Sequence, residues 1–215
     1  DWDANLGLRL QHLYDLELQN SAAISTGFGA YLIDYHSSSG SVLQAGSTKP
    51  YDLLLLDLNT GLEFKPLPSD LPGLTLRPHV AFTNVMAQQH GYMDTRGAGI
   101  DLVYRHDERT LFDLTADVQS RSFEQRVDLT NAAEVSGRLA SVRARLTREL
   151  KPGHQLTGEV AVRGSRTYRT YFDYDQQEAR VTYAFSYASP VAVSQGQWTT
   201  SAWLGALRRK YDAAD

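Results

Sequence analysis

Apolar and polar residues alternate one for one along most of this chain. From Trp2 the even positions read Trp2, Ala4, Leu6, Leu8 and Leu10, while the odd ones read Asp3, Asn5, Gly7, Arg9 and Gln11. Successive side chains of a β-strand point to opposite faces, so such a segment has one apolar and one polar face. The same pattern returns at Leu54, Leu56 and Leu58, at Leu74 and Leu76, at Ala98, Ile100 and Leu102, and at Phe112, Leu114 and Ala116. It continues at Val142, Ala144 and Leu146, at Leu156, Val160 and Val162, at Val181, Tyr183, Phe185 and Tyr187, and at Trp198, Ala202, Leu204 and Ala206. The segment 27–35 is a strand by composition with less distinct faces. The stretch 132–150 is rich in helix-forming Ala, Arg and Leu, but its alternation at 142–146 predicts a strand. No fixed motif repeats every 20 to 50 residues, which excludes a solenoid or propeller.

The count is about ten strands of roughly 10 to 15 residues, against about 5 to 6 in ordinary globular strands. Long strands with a two-residue repeat and turn-rich joints predict an all-β fold, an antiparallel transmembrane β-barrel occupying 1–215 as one domain. Short joints fall at His106-Asp107-Glu108-Arg109 and Leu150-Lys151-Pro152-Gly153. Longer ones fall at 37–50, 124–133 and 171–177. Short and long joints are expected to alternate from Tyr51 onward, with 66–73 and 188–195 on the short-turn side. The longest aliphatic run is only Leu53-Leu54-Leu55-Leu56. A membrane-spanning helix needs about 18 apolar residues and is excluded.

Composition removes other classes. There is no cysteine, hence no disulfide framework, thiolate metal site or cysteine nucleophile. The 21 basic and 25 acidic residues give a net charge of −4, so no nucleic-acid partner is expected. The start Asp1-Trp2-Asp3 carries no signal-peptide pattern, as in a mature chain, an excised piece or part of a longer protein.

Alternation alone does not say whether the apolar face meets lipid or a protein core. A soluble sandwich turns its apolar faces inward, whereas a membrane barrel turns them to lipid and encloses a polar lumen. Strand length, a polar face of mixed charge and clustered aromatics favour the barrel. Asp57, Arg77, Asp101, Asp113, Asp117, Arg143, Arg145, Glu159 and Arg163 are then lumen-facing. Arg143 and Arg145 are expected to form a cross-strand charge ladder with Glu159 and Arg163. Tyr168, Tyr171, Tyr183, Phe185, Tyr187 and Trp198 are the candidate interface aromatics, with Phe172, Tyr174 and Trp203 beside them. The stretch RGSRTYRTYFDY (163–174) interleaves Arg163, Arg166 and Arg169 with tyrosines. It suits contact with sugar chains or lipopolysaccharide phosphates, or simply a strand crossing the outer interface.

With these features the chain resembles Gram-negative outer-membrane β-barrels. NLGLRLQHLYD (5–15), the hairpin 97–121 around HDER and LRRKYDAAD (207–215) resemble barrel domains that follow a periplasmic tetratricopeptide-repeat region. Surface lipoprotein assembly modifiers and exopolysaccharide exporters are of that kind. The resemblance implies an outer-membrane location, contact with outer-membrane lipid and lipopolysaccharide, and a passageway or assembly device for protein or polymer cargo arriving from the periplasm. Such barrels often end on an aromatic residue, whereas this chain ends Tyr211-Asp212-Ala213-Ala214-Asp215. The strand count also leaves the last strand running outward. Either further strands follow Asp215, or the count near 21–40 is off by one.

No catalytic constellation emerges. The six histidines, His12, His36, His79, His90, His106 and His154, have no metal-ligand spacing, so neither metal nor cofactor is expected. Asp113 and Asp117 share a strand face about 13 Å apart, too far for a carboxylate pair acting alone. Ser120 and Ser122 lie near Asp117 in sequence, without a GxSxG elbow. Gly27, Gly29, Gly97 and Gly99 lack the following helix of a phosphate loop and suit curvature instead. The expected protein is not an enzyme. The alternatives are a soluble β-barrel or sandwich binding module, and an outer-membrane hydrolase.

Overall fold

The computed structural model describes residues 2–16, 22–36, 53–87, 90–124, 132–188 and 197–212. Ten strands follow one another: β1 (Trp2–Asp15), β2 (Ala23–His36), β3 (Leu53–Glu63), β4 (Leu74–Ala87), β5 (His90–Arg105), β6 (Thr110–Phe123), β7 (Gly137–Lys151), β8 (His154–Thr167), β9 (Tyr174–Ala188) and β10 (Gln197–Tyr211). They run from 11 to 16 residues. All ten lie in one antiparallel sheet in sequence order, so the fold is all-β. No ladder joins β1 to β10 among the described residues. The expected strand over 132–150 begins as a one-turn helix, α1 (Ala132–Val135), before β7 takes over. Ala132, with Ser136 bonded back to its carbonyl, stabilises that turn.

The turns define two rims. Connections 64–73, 106–109 and 152–153 lie at the turn rim, whereas 88–89, 124–136 and 168–173 lie at the loop rim. β1 begins, and β10 ends, at the loop rim. The expected alternation of short and long joints fails at 88–89, where two residues separate β4 from β5 on the longer-loop side. A register shift between Val85 and Met86 precedes this reversal, and the extra local twist of a bulge suits a tight hairpin. At the other rim 64–73 is long but ordered, with Phe64 and Leu76 exchanging two backbone bonds of 2.9 Å. The expected joint 37–50 lies outside the described residues, as do 125–131 and most of 188–195.

Register keeps like with like. Leu10 faces Phe28, which faces Leu58, which faces Phe82. Leu102 faces Leu114, which faces Ala144, which faces Val160 and then Ala179 and Ala206. Toward the middle of the strands the apolar residues therefore gather mainly on one face and the polar residues mainly on the other. A one-residue slip anywhere would mix them.

The sheet curls toward its polar face. A Cβ built on Gly99 of that face would lie 2.7 Å from the Ala116 carbonyl oxygen and 2.8 Å from His79 Nε2. A Cβ built on Gly158 of the apolar face would meet nothing within 4 Å. Arg77 of β4 reaches over Asn59 of β3 to Ser25 of β2, its Nε donating to Oγ at 2.5 Å. Arg121 of β6 similarly spans Gly137 of β7 to reach Ser165 of β8 at 3.0 Å. Bonds that skip a strand need a concave surface. The apolar face is correspondingly convex and open, with Val118 56%, Val160 57% and Val181 53% exposed. Among the described residues no second layer covers it.

Candidate functional site

The concave face is a hydrogen-bonded polar wall. Asp101 is its hub: Oδ2 accepts from Arg77 Nη1 at 2.9 Å and lies 3.0 Å from His79 Nδ1, while Oδ1 accepts from Thr115 at 2.9 Å. His79 fits because Gly61 and Gly99 flank it on both neighbouring strands, leaving room for its ring. One strand further, Asp117 accepts from Ser141 at 2.6 Å and from Gln119 at 3.1 Å. Arg145 donates from Nε and Nη2 to Glu159 Oε2 at 2.9 and 2.8 Å. Arg180 pairs with Glu178 at 3.4 Å and lies 4.9 Å from the Trp203 ring. Arg209 bonds Gln176 Oε1 from Nε at 2.9 Å and lies 4.6 Å from the Tyr174 ring.

Two cavities indent this wall. One of about 610 Å³ is lined by Arg9, Ser25, Asp57, Asn59, Glu63 and Arg77. Another of about 310 Å³ is lined by Glu63, Arg77, Asp101, Asp113, Arg143 and Arg145. They meet at Glu63 and Arg77.

The register puts Asp57, Arg77, Asp101, Asp113, Asp117, Arg143, Arg145, Glu159 and Arg163 on this one face. The expected charge ladder is narrower than its four residues. Arg145 and Glu159 pair, but Arg143 faces Ala161, Arg163 faces Ser141, and neither guanidinium has an ion pair among the described residues. Asp117 is occupied by Ser141 and Gln119, while Asp113 faces Arg145, so the two acids are not a working pair. Ser120 and Ser122 sit on the convex face, away from Asp117, because their parity is opposite. No group of three or more His, Asp or Glu suited to a metal occurs among the described residues.

The aromatics separate by rim. Tyr183, Phe185, Tyr187 and Trp198 form a chain of ring contacts at the turn rim, with centroids 5.3 to 6.5 Å apart. His154 and, further round, Tyr104 and Phe112 continue this belt on the convex face. Tyr168 and Tyr171 lie instead at the loop rim, beside a short 3-10 turn, η1 (Thr170–Phe172). There Glu134 accepts from Arg169 at 3.2 Å and from Tyr171 at 2.8 Å, tying the two loops together. The Glu134 carboxylate raises the Tyr171 phenol above its ordinary value, chiefly through that bond. Trp203 departs from the expected aromatic group: opposite Thr182, it lies on the polar face.

The wall also contains residues the sequence reading did not single out. These are Ser25, which Arg77 reaches, Ser165 beside Arg121, and Gln176 and Glu178 on β9. The two-residue alternation of β9 carries a signal for the last two, once Tyr183 and Val181 set its parity. The strand-skipping partners of Arg77 and Arg121 leave no local trace. No family model and no curated protein matches this sequence.

Proposed function

We propose that this chain forms the wall of an outer-membrane β-barrel, convex face to lipid and concave face to a polar passage for protein or polymer cargo. The observation that carries this reading is the inversion of its two faces. The apolar face is convex and open, and the polar face is concave and laced by hydrogen bonds between its own side chains. A soluble sandwich needs the opposite arrangement, with a second sheet over the apolar face. The aliphatic band spans nine residues on β2 from Ile24 to Leu32 and seven on β8 from Leu156 to Val162. That is about 20 to 27 Å along the strand, or about 14 to 22 Å of height at a tilt of 35–45°, most of the apolar belt of about 25 Å in such barrels. In hydrocarbon the outer edges of β1 and β10 have to be paired, with each other or with further strands.

The test is gel mobility of detergent-extracted protein, boiled and unboiled, with circular dichroism. A heat-dependent shift with β-rich spectra is expected. Solubility without detergent and no shift would overturn the reading.

A further inference from the structure

We propose that the loop-rim end of the convex face binds the phosphate groups of an anionic membrane lipid through Arg96, Arg138 and Arg166. Register assembles this row from four strands: Arg96 faces Ser120, Ser120 faces Arg138, and Arg138 faces Arg166. The row is about 14 Å wide at the usual strand spacing. All three arginines are exposed. Arg166 is held by Asp175 at 2.8 Å, whereas Arg96 and Arg138 have no hydrogen bond or ion pair among the described residues.

Arg138 directly opposite Arg166 is a like-charge cross-strand pair, which costs stability in the absence of an anion. Nearby acids offset the Arg166 side of the pair and leave Arg138 without a partner among the described residues. On the same face and rim stand Arg208 opposite Gln177 and Lys210 opposite Asp175. The acids there are Asp175, which pairs with Arg166 and stands opposite Lys210, Asp173 and Asp212, which lie close enough to Arg166 to act on its charge, and Asp94, which accepts from Asn84 at 2.7 Å. Acids therefore offset much of this charge, and Arg96 and Arg138 are the two cations of the row without an acidic partner among the described residues.

Depth selects the ligand. Two residues from the row toward the turn rim, the same strands carry Ala98, Val118, Ala140 and Gly164 on the same face. A phosphate in the row therefore sits where a headgroup would, with acyl chains along the aliphatic band. Charge-assisted bonds from two or three guanidiniums to one phosphate also remove the like-charge repulsion. The opposite rim of this face also carries basic groups, Arg148, Lys151 and His154, but sets them among aromatic rings. The basic stretch at 163–174 is not itself this site, because Arg163 faces the concave wall and Arg169 is tied to Glu134.

The proposal rests on the membrane reading, and one experiment separates the two. The whole chain and the variant Arg96→Ser/Arg138→Ser are inserted into phosphatidylcholine vesicles, with and without phosphorylated lipid A, and retained lipid is measured after extraction. Expected is retention of lipid A by the unaltered chain, falling about tenfold or more in the variant. Dephosphorylated lipid A is not retained, and inorganic phosphate at equal concentration does not compete. Insertion into phosphatidylcholine with equal lipid A retention by both proteins would overturn this inference alone, as would full competition by inorganic phosphate. Failure to insert into either vesicle would overturn both readings. A second variant, Arg138→Lys, keeps the charge and is expected to retain more lipid A than Arg138→Ser, which guards against misfolding as the cause.

Discussion

Val160→Arg separates lipid from water at the convex face. Val160 lies mid-strand on β8 between Ala144 and Ala179 and is 57% exposed. If water covers this face, a charge at so open a strand position changes stability by no more than about 0.5 kcal/mol. If lipid covers it, arginine near the bilayer midplane costs about 2 to 4 kcal/mol, or about 30- to 900-fold in the folding equilibrium. Ser122→Arg is the depth control, since it stands on the same face at the loop rim opposite Asp94, where the cost is about 0 to 1 kcal/mol. The assay is a urea titration of folding into phosphatidylcholine vesicles, followed by gel mobility and tryptophan fluorescence. Val160→Arg within 0.5 kcal/mol of the unaltered chain, or Ser122→Arg as costly as Val160→Arg, would refute the assignment of this face to lipid.

Curvature predicts unequal glycines. Gly99→Val, whose Cβ meets the Ala116 carbonyl oxygen at 2.7 Å, should cost about 1 to 3 kcal/mol, while Gly158→Val should be neutral or stabilising in the same titration. Breaking the Arg145–Glu159 pair with Glu159→Gln should change stability by less than about 1 kcal/mol, because the pair is partly solvated. Its effect should appear instead in the ion selectivity of the inserted barrel, read by planar-bilayer conductance. Asp107 accepts from the Arg109 amide at 2.7 Å, which holds its carboxyl below the ordinary range. Its contribution to the β5–β6 turn is therefore present above the ordinary carboxylate value and lost as pH falls through the lowered folded one. Amide exchange at Arg109 should accelerate over that window in the unaltered chain and be pH-flat, beyond intrinsic exchange, in Asp107→Ala.

Strands and faces were legible because alternation is a local property and the strands are long. Nine charged residues scattered from Asp57 to Arg163 share one face through parity alone. Parity does not fix partners. Arg143 and Arg145 look alike in sequence, yet register sets only Arg145 opposite a carboxylate. The stretch 163–174 looks like one basic patch, yet alternation and a loop send Arg163, Arg166 and Arg169 three different ways. Arg96, Arg138 and Arg166 are spread over some seventy positions, and only the ladders bring them into one row. Curvature depends on contacts across strands, such as Arg77 to Ser25, and no window of sequence contains both ends.

Under the proposed barrel reading, the width of the passage turns on how β1 and β10 are paired. One perpendicular path runs Leu13, Ser25, Gly61, His79, Gly99, Asp117, Ser141, Arg163, Gln176, Arg209, from near the turn rim on β1 to near the loop rim on β10. At a strand tilt of 35–45° and a spacing of 4.8 Å, ten strands accumulate a stagger of about 10 to 14 residues. Closure of β1 on β10 would then pair Leu8 with Leu204, Ala202 or Thr200, for staggers of about 10, 12 or 14. The chain has no cysteine, so Leu8→Cys combined with cysteine at each of those positions gives a clean crosslinking scan. An intramolecular disulfide in one combination marks a ten-stranded barrel about 20 Å across between backbone walls. Arginines projecting inward leave such a bore room for an extended chain at most, which excludes folded cargo. A crosslinked dimer, or no disulfide in any combination, means other strands fill the seam. The wall described here would then be one part of a wider passage.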